Sequence, residues 1–209
     1  MSNYHDQIKK VYNVTSMAEQ EAAYDEWSAQ YERDLFAMGY RAPAMAAAVF
    51  ARFVAPDVGP ILDAGCGGGL QCEPLAVLGY GPIVGIDLSE GMLSVARDKQ
   101  IYESLHKMAM GGGLDFPENS FGAVITVGTI TPGHAPASSF ADLAHVARPG
   151  ARVVISLRSD PGIGPEYWDA CLALEKAGKW RLLFTSEPFP AMPYTEPDIF
   201  CRAHVFEAL

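Results

Sequence analysis

The run Ile61-Leu62-Asp63-Ala64-Gly65-Cys66-Gly67-Gly68-Gly69-Leu70 concentrates the features that can do chemistry. An apolar stretch with strand character leads straight into glycines and then into helical sequence. Without Cβ atoms the main chain turns tightly and approaches a ligand closely. A plain structural turn needs one or two glycines, whereas four of residues 65–69 are glycine, which favours a binding loop. A phosphate-cradling P-loop is excluded because no Lys-Ser/Thr pair follows. The dinucleotide fingerprint fails in both frames, with Leu70 or Cys72 at the place of its third glycine. Cys66 lacks the His/Asn arrangement of a nucleophile, so it is expected to pack. His5, His106, His134, His145 and His204 form no HExxH, and Cys66, Cys72, Cys171 and Cys201 form no CxxC. No metal is expected, and the thiols are expected to be free.

The loop resembles motif I of the class I S-adenosylmethionine-dependent methyltransferases, D-x-G-x-G-x-G, matched by Asp63, Gly65, Gly67 and Gly69. The next strand ends at Asp87, 22 residues after Gly65, where a carboxylate can accept both ribose hydroxyls of an adenosine. Ser89 then reads as a helix N-cap, with Met92 and Leu93 opening the helix. Leu114-Asp115-Phe116-Pro117-Glu118-Asn119-Ser120-Phe121-Gly122-Ala123-Val124 is similar to the family's L-P-F-P-D-N-S-F-D-x-V. Two residues depart from that pattern. Met110 stands where the family often has an acid that meets the adenine amino group, and Gly122 replaces an Asp. The resemblance then implies that adenine is held by the backbone near Met110 and Gly111 and by apolar contacts from Leu88 and Leu114. Arg148-Pro149-Gly150 resembles the family's turn before strand five. Tyr24 to Asp34, Tyr40 to Pro43 and Val127 to His134 look like the small methyltransferase-like proteins typified by the Williams-Beuren chromosomal region member, a group that implies no particular substrate.

The resemblance implies methyl transfer from S-adenosylmethionine, leaving S-adenosylhomocysteine, to a small-molecule acceptor whose O, N, C or S nucleophile stays open. The alternative is a protein that binds either compound without turnover. Donor contacts are implied at Asp63, Gly65, Cys66, Gly67, Gly69, Asp87, Leu88, Met92, Met110, Gly111, Val127 and Gly128. Tyr31 and Arg41 are candidates for the methionyl carboxylate. Against that, Tyr24, Trp27 and Tyr31 at i, i+3, i+7 form a stripe of the kind that packs cores, and Arg41 equally suits a solvated ion pair. His134 follows the fourth strand, where the family places substrate-facing residues, and is the candidate general base; an exposed loop histidine is the competing reading.

Such groups can work together only if strands and helices hold them. From Pro60 onward, β-branched runs bounded by glycine and proline alternate with helix-like stretches. Strands are predicted near 60–65, 82–88, 104–110, 121–128 and 152–158, and helices near 71–78, 89–99 and 137–147. A further helix ends at Gly178, and two antiparallel strands follow, joined by a proline-rich connection. The fold class is therefore α/β, a Rossmann-like, seven-stranded, mostly parallel sheet flanked by helices, with ligands at the strands' carboxyl ends. Residues 1–55 predict an N-terminal helical cap or lid, ahead of a domain at 56–209.

A chain of 209 residues that is 49% apolar suits a globular domain and excludes a disordered chain. With 25 acidic and 15 basic side chains, the charge of -10 opposes binding to nucleic acid. The first residues lack a signal pattern, and no apolar run approaches the ~18 residues of a membrane span. A cytoplasmic protein without membrane partners is expected, of undetermined oligomeric state.

Overall fold

Two helices, α1 (Met17–Met38) and α2 (Ala42–Phe53), open a computed structural model that describes residues 10, 11, 14 and 16–209. The parts of the expected cap at residues 1–9, 12, 13 and 15 lie outside the described residues. Ser16 caps α1 by accepting from the Glu19 amide at 3.2 Å, and Gly39 ends it in the left-handed region at φ 72°. Pro43 sits in the first turn of α2, where its missing N–H costs nothing.

The chain then alternates: β1 (Ile61–Ala64), α3 (Glu73–Val77), β2 (Ile83–Asp87), α4 (Glu90–Asp98), β3 (Ser104–Lys107) and β4 (Phe121–Val127). It continues through α5 (Ser139–Val146), β5 (Ala147–Arg158), α6 (Pro165–Lys176), β6 (Trp180–Thr185), β7 (Phe189–Met192) and β8 (Glu196–Ala208). The strands form one sheet in the order β3-β2-β1-β4-β5-β8-β6, with β7 paired to β8. β1 to β5 run parallel, and β8 is antiparallel to β5, β6 and β7. The winding goes outward from β1 to β3, then returns to β4 and proceeds the other way. That reversal leaves a crevice beyond the carboxyl ends of β1 and β4.

Helices cover both faces, which is why the central strands read as unbroken apolar runs: every residue of β1 and β4 is buried. On one face Phe50 of α2 and Leu75 of α3 pack with Ile61, Ile125 and Val154. On the other, Phe140 and Leu143 of α5 and Tyr167 of α6 pack with Leu62, Val124 and Val153. The mostly parallel, helix-flanked sheet is the one the sequence predicts. Two details differ from it.

The sheet has an eighth strand, because β7 forms inside the proline-rich connection with Phe189 opposite Cys201 and Met192 opposite Glu196. β7 has only β8 as neighbour, and an edge tolerates the missing amide of Pro190. Arg148-Pro149-Gly150, expected as a turn, lies within β5. There the pairing with β4 jumps from Phe121↔Ala147 to Ala123↔Arg152, and Gly150 takes the positive φ of 85° that such an irregularity uses. Among the described residues no helix is long and apolar enough to cross a membrane.

Trp180 ties the far side of the sheet together. It is fully buried, its Nε1 donates to the Cys171 carbonyl at 3.0 Å, and its ring stacks on Phe206 with centroids 4.3 Å apart. Trp180→Ala is expected to lower the unfolding free energy by about 3–5 kcal/mol through cavity formation. Urea denaturation measures this; a loss below ~1 kcal/mol would mean that the neighbouring side chains close the gap.

Candidate functional site

The glycine loop leaves β1 after Ala64 and is fastened to β2 at once, the Gly65 and Cys66 amides both donating to the Ile86 carbonyl at 2.9 Å. Thr129, just past β4, donates its hydroxyl to the Gly65 carbonyl at 3.2 Å. Gly67 has φ 52°, and a methyl group there would meet no atom within 4 Å because the position faces open space. Asp87 ends β2. Its Oδ2 accepts from the Gly67 amide at 2.8 Å and its Oδ1 from the Ser89 amide at 2.9 Å. The Gly69 amide donates to the Cys66 carbonyl at 2.8 Å. With these amides engaged internally, the loop's offer to a ligand is chiefly close approach. Burial raises the Asp87 carboxyl above its ordinary range; the Ser89, Gly67 and Leu88 amides oppose the rise, and Asp25 adds to it.

These groups border a cavity of about 470 Å³, a size typical of small-molecule sites. α1 crosses it lengthwise, anchored at one strand end after another. Glu21 pairs with Lys107 at the end of β3, 2.6 Å apart. Asp25 accepts from the Ser89 hydroxyl at 2.5 Å and the Gly91 amide at 2.8 Å, just beyond β2. Glu32 pairs with Lys99 at 2.8 Å and lies against Gly68 of the β1 loop. Tyr40, after α1, sets its hydroxyl against Gly128 at the end of β4. A side compartment of about 70 Å³ lies beneath α1, where Tyr24, Trp27, Tyr31, Tyr40, His134 and Met192 meet.

Of the residues singled out in the sequence, Gly65, Cys66, Gly67, Asp87, Leu88, Met92, Met110, Gly111, Val127, Gly128, Tyr31 and His134 line the cavity. Three do not. Asp63 is wholly buried beneath the loop, accepting from Gln71 Nε2 and from the Tyr102 hydroxyl, each at 2.7 Å. Gly69 points away, at φ 98°, where a methyl group would come within 3.0 Å of the Tyr102 hydroxyl; Gly68 lines the cavity instead. Arg41 is exposed at the start of α2, with its amide donating to the Ala191 carbonyl at 2.9 Å. Leu114 belongs to the core rather than the cavity wall.

Several lining residues escaped the sequence reading, among them Gln20, Leu35, Tyr40, Gln71 and Thr129. Gln20, Tyr24, Tyr31 and Leu35 recur at helical spacing, a signal that the Tyr24-Trp27-Tyr31 stripe only half captured. Asp142 of α5 escaped as well. Its carboxylate accepts from the Gly111 amide at 2.6 Å and the Gly113 amide at 3.1 Å, while Ser138 donates to the Gly111 carbonyl at 3.0 Å. The Gly111 backbone, expected to meet adenine, is therefore bonded to the start of α5.

His134 Nδ1 lies 3.3 Å from the Pro132 carbonyl, and the ring centroid is 5.8 Å from that of Tyr24. Burial lowers its pKa from 6.5, opposed by the Pro132 bond and assisted by the Arg158 charge, so the ring is neutral at pH 7. Burial pushes the Cys66 thiol well above its usual range, as suits packing rather than attack. Among the described residues no group of three or more His, Cys, Asp or Glu side chains is placed to hold a metal ion.

A parallel sheet that reverses over a glycine loop and a strand-end carboxylate defines an α/β domain of the nucleotide-binding class. Residues 62–155 match the family described as "Methyltransferase domain". Methyltransferase-like protein 27 of Homo sapiens is 31% identical over 181 residues, 83% of this chain and 73% of that protein. Ubiquinone biosynthesis O-methyltransferase of Hahella chejuensis is 36% identical over 107 residues, 46% of this chain and 42% of that one. A solved TehB-like SAM-dependent methyltransferase from Corynebacterium glutamicum shares the fold, with TM-score 0.62, 24% identity, and coverage of 90% of this chain and 100% of that one. The chain belongs to the methyltransferase family, as a class I S-adenosylmethionine-dependent enzyme.

The carboxyl beneath the loop makes stability depend on pH. Burial raises the Asp63 pKa from 3.8 to about 6, against the bonds from Tyr102 and Gln71. The folded protein thus holds this proton more tightly than the unfolded chain does. The stabilisation is complete below pH ~3.8 and lost as pH rises through about 6, on the order of 3 kcal/mol in all. Asp63→Asn is expected to flatten this part of the stability profile, measured by thermal melting between pH 4 and 7. An unchanged slope would assign the proton elsewhere.

Proposed function

We propose that the donor lies along the strand ends beneath α1, its ribose at Asp87, its amino-acid end at the glycine loop and its base beyond β2. The observation that carries this reading is that Asp87 and the bare Gly67 face one cavity at the switch point of the sheet. The residues fit the group. The Asp87 oxygens, although bonded to backbone amides, face the cavity where ribose hydroxyls can reach them, and the space a Gly67 side chain would fill is open. Leu88, Met92 and Met110 give the apolar wall, and Val127 and Gly128 form the floor toward the acceptor. Tyr31 reaches the amino-acid end from α1.

When bound, S-adenosylmethionine supplies a sulfonium methyl that a nucleophile takes in line, with a neutral thioether departing. The protein's part is alignment, exclusion of water by α1, and removal of the acceptor's proton. His134, neutral at pH 7, is the group proposed to take that proton. The acceptor is proposed to be a small molecule, since it enters beside a donor in about 470 Å³ and a side compartment of about 70 Å³. The negative charge of -10 argues against nucleic acid as that acceptor. Residues 1–55 would then serve as the cap of the 56–209 unit through α1. Within the class, the 31% identity to methyltransferase-like protein 27 supports a place among the small methyltransferase-like proteins. Four free, buried cysteines support a cytoplasmic setting.

Calorimetry with S-adenosylhomocysteine tests the donor site. Asp87→Ala is expected to weaken binding by at least about tenfold, roughly 1.4 kcal/mol; near-native affinity would remove Asp87 from the ribose. Labelled donor incubated with a metabolite extract and followed by mass spectrometry tests the acceptor and the base. His134→Gln is expected to cut labelled product by about 10²-fold or more at pH 7 while S-adenosylhomocysteine affinity holds. Full turnover by that variant would show that the proton leaves by another route.

A further inference from the structure

Resting on the donor placement above, we infer that Gln20 of α1 reads the nucleobase, so that base specificity comes from the helix over the cavity rather than from the end of β3. With the ribose at Asp87, the base projects toward β3 and the loop after it. There the wall consists of Met108, Ala109, Met110, Pro136 and Met17, none of which carries a nitrogen or oxygen in its side chain. Two main-chain donors of this wall, the Gly111 and Gly113 amides, are held by Asp142. An adenine buried here needs partners for its amino group and ring nitrogens, and each group left unbonded costs affinity.

Gln20 is the side-chain amide in this stretch of wall. Its position on α1 is fixed by two anchors that follow it. The adjacent Glu21 is paired to Lys107, the last residue of β3, and Asp25 is bonded to Ser89 and Gly91 beyond β2. Gln20 is partly buried, and among the described residues no hydrogen bond to its side chain is found. A primary amide carries a donor and an acceptor side by side, the pattern that matches the amino group of adenine and a neighbouring ring nitrogen. Hypoxanthine, with a carbonyl in place of the amino group, reverses part of that pattern.

The test compares S-adenosylhomocysteine with its deaminated analogue, S-inosylhomocysteine, by calorimetry on the full chain. Wild type is expected to favour the adenine compound by at least about tenfold. Gln20→Leu keeps the helix and the apolar wall, and is expected to narrow the ratio to within about threefold by weakening the adenine compound. A wild type that binds both equally, or a Gln20→Leu protein that binds and keeps the full ratio, would overturn the inference while leaving the donor site standing. A wild type that binds neither would overturn the donor placement and this inference with it. The wild-type comparison needs no variant, so a folding defect in Gln20→Leu does not protect the idea.

Discussion

One carboxylate holds the site together. Asp87 stands at the end of β2 and takes an amide from each side, from Gly67 of the β1 loop and from Ser89 at the start of α4. Burial raises the cost of its charge, and those amides offset part of it. The consequence is geometric. The glycine loop cannot shift relative to β2 without breaking that bond, so the two elements that border a ligand move as one. The same helix start draws in a second carboxylate, Asp25, whose bonds to the Ser89 hydroxyl and the Gly91 amide dock α1. Helix N-terminal amides favour negative charge, which lets two acids share this corner.

From that corner the rest of the cavity can be followed along α1. Its anchors fall at β3, β2, the β1 loop and β4 in turn, so successive turns of the helix border different parts of the cavity. The wall is mostly apolar, with few polar groups at defined places. In such a wall each polar group counts for more than it would in water. His134, near Tyr24, and Gln20, next to the Glu21 that pairs with Lys107, are among the polar side chains in that wall.

The sequence made the loop and Asp87 legible because both are local. Strand, glycines and the next strand-end acid follow one another at fixed spacing, and no distant contact is needed to see them. Asp63 lies on the face of Ile61, away from Leu62 and Ala64, and its bonds to Gln71 and Tyr102 hold it beneath the loop instead of in the cavity. Gly69 matched the motif, yet its turn serves close packing against Tyr102. Asp142 and Tyr40 were not legible, since their contacts with Gly111 and Gly128 span 31 and 88 residues, which spacing does not encode. β7 was hidden by prolines that an edge strand tolerates.

A crystal structure of the protein with S-adenosylhomocysteine bound tests the central claim most directly. Both ribose hydroxyls are expected on the Asp87 carboxylate with its bond to the Gly67 amide intact, and the thioether sulfur between Gly67 and Gly128. A ligand seated elsewhere, or an Asp87 turned away from the sugar, would contradict it.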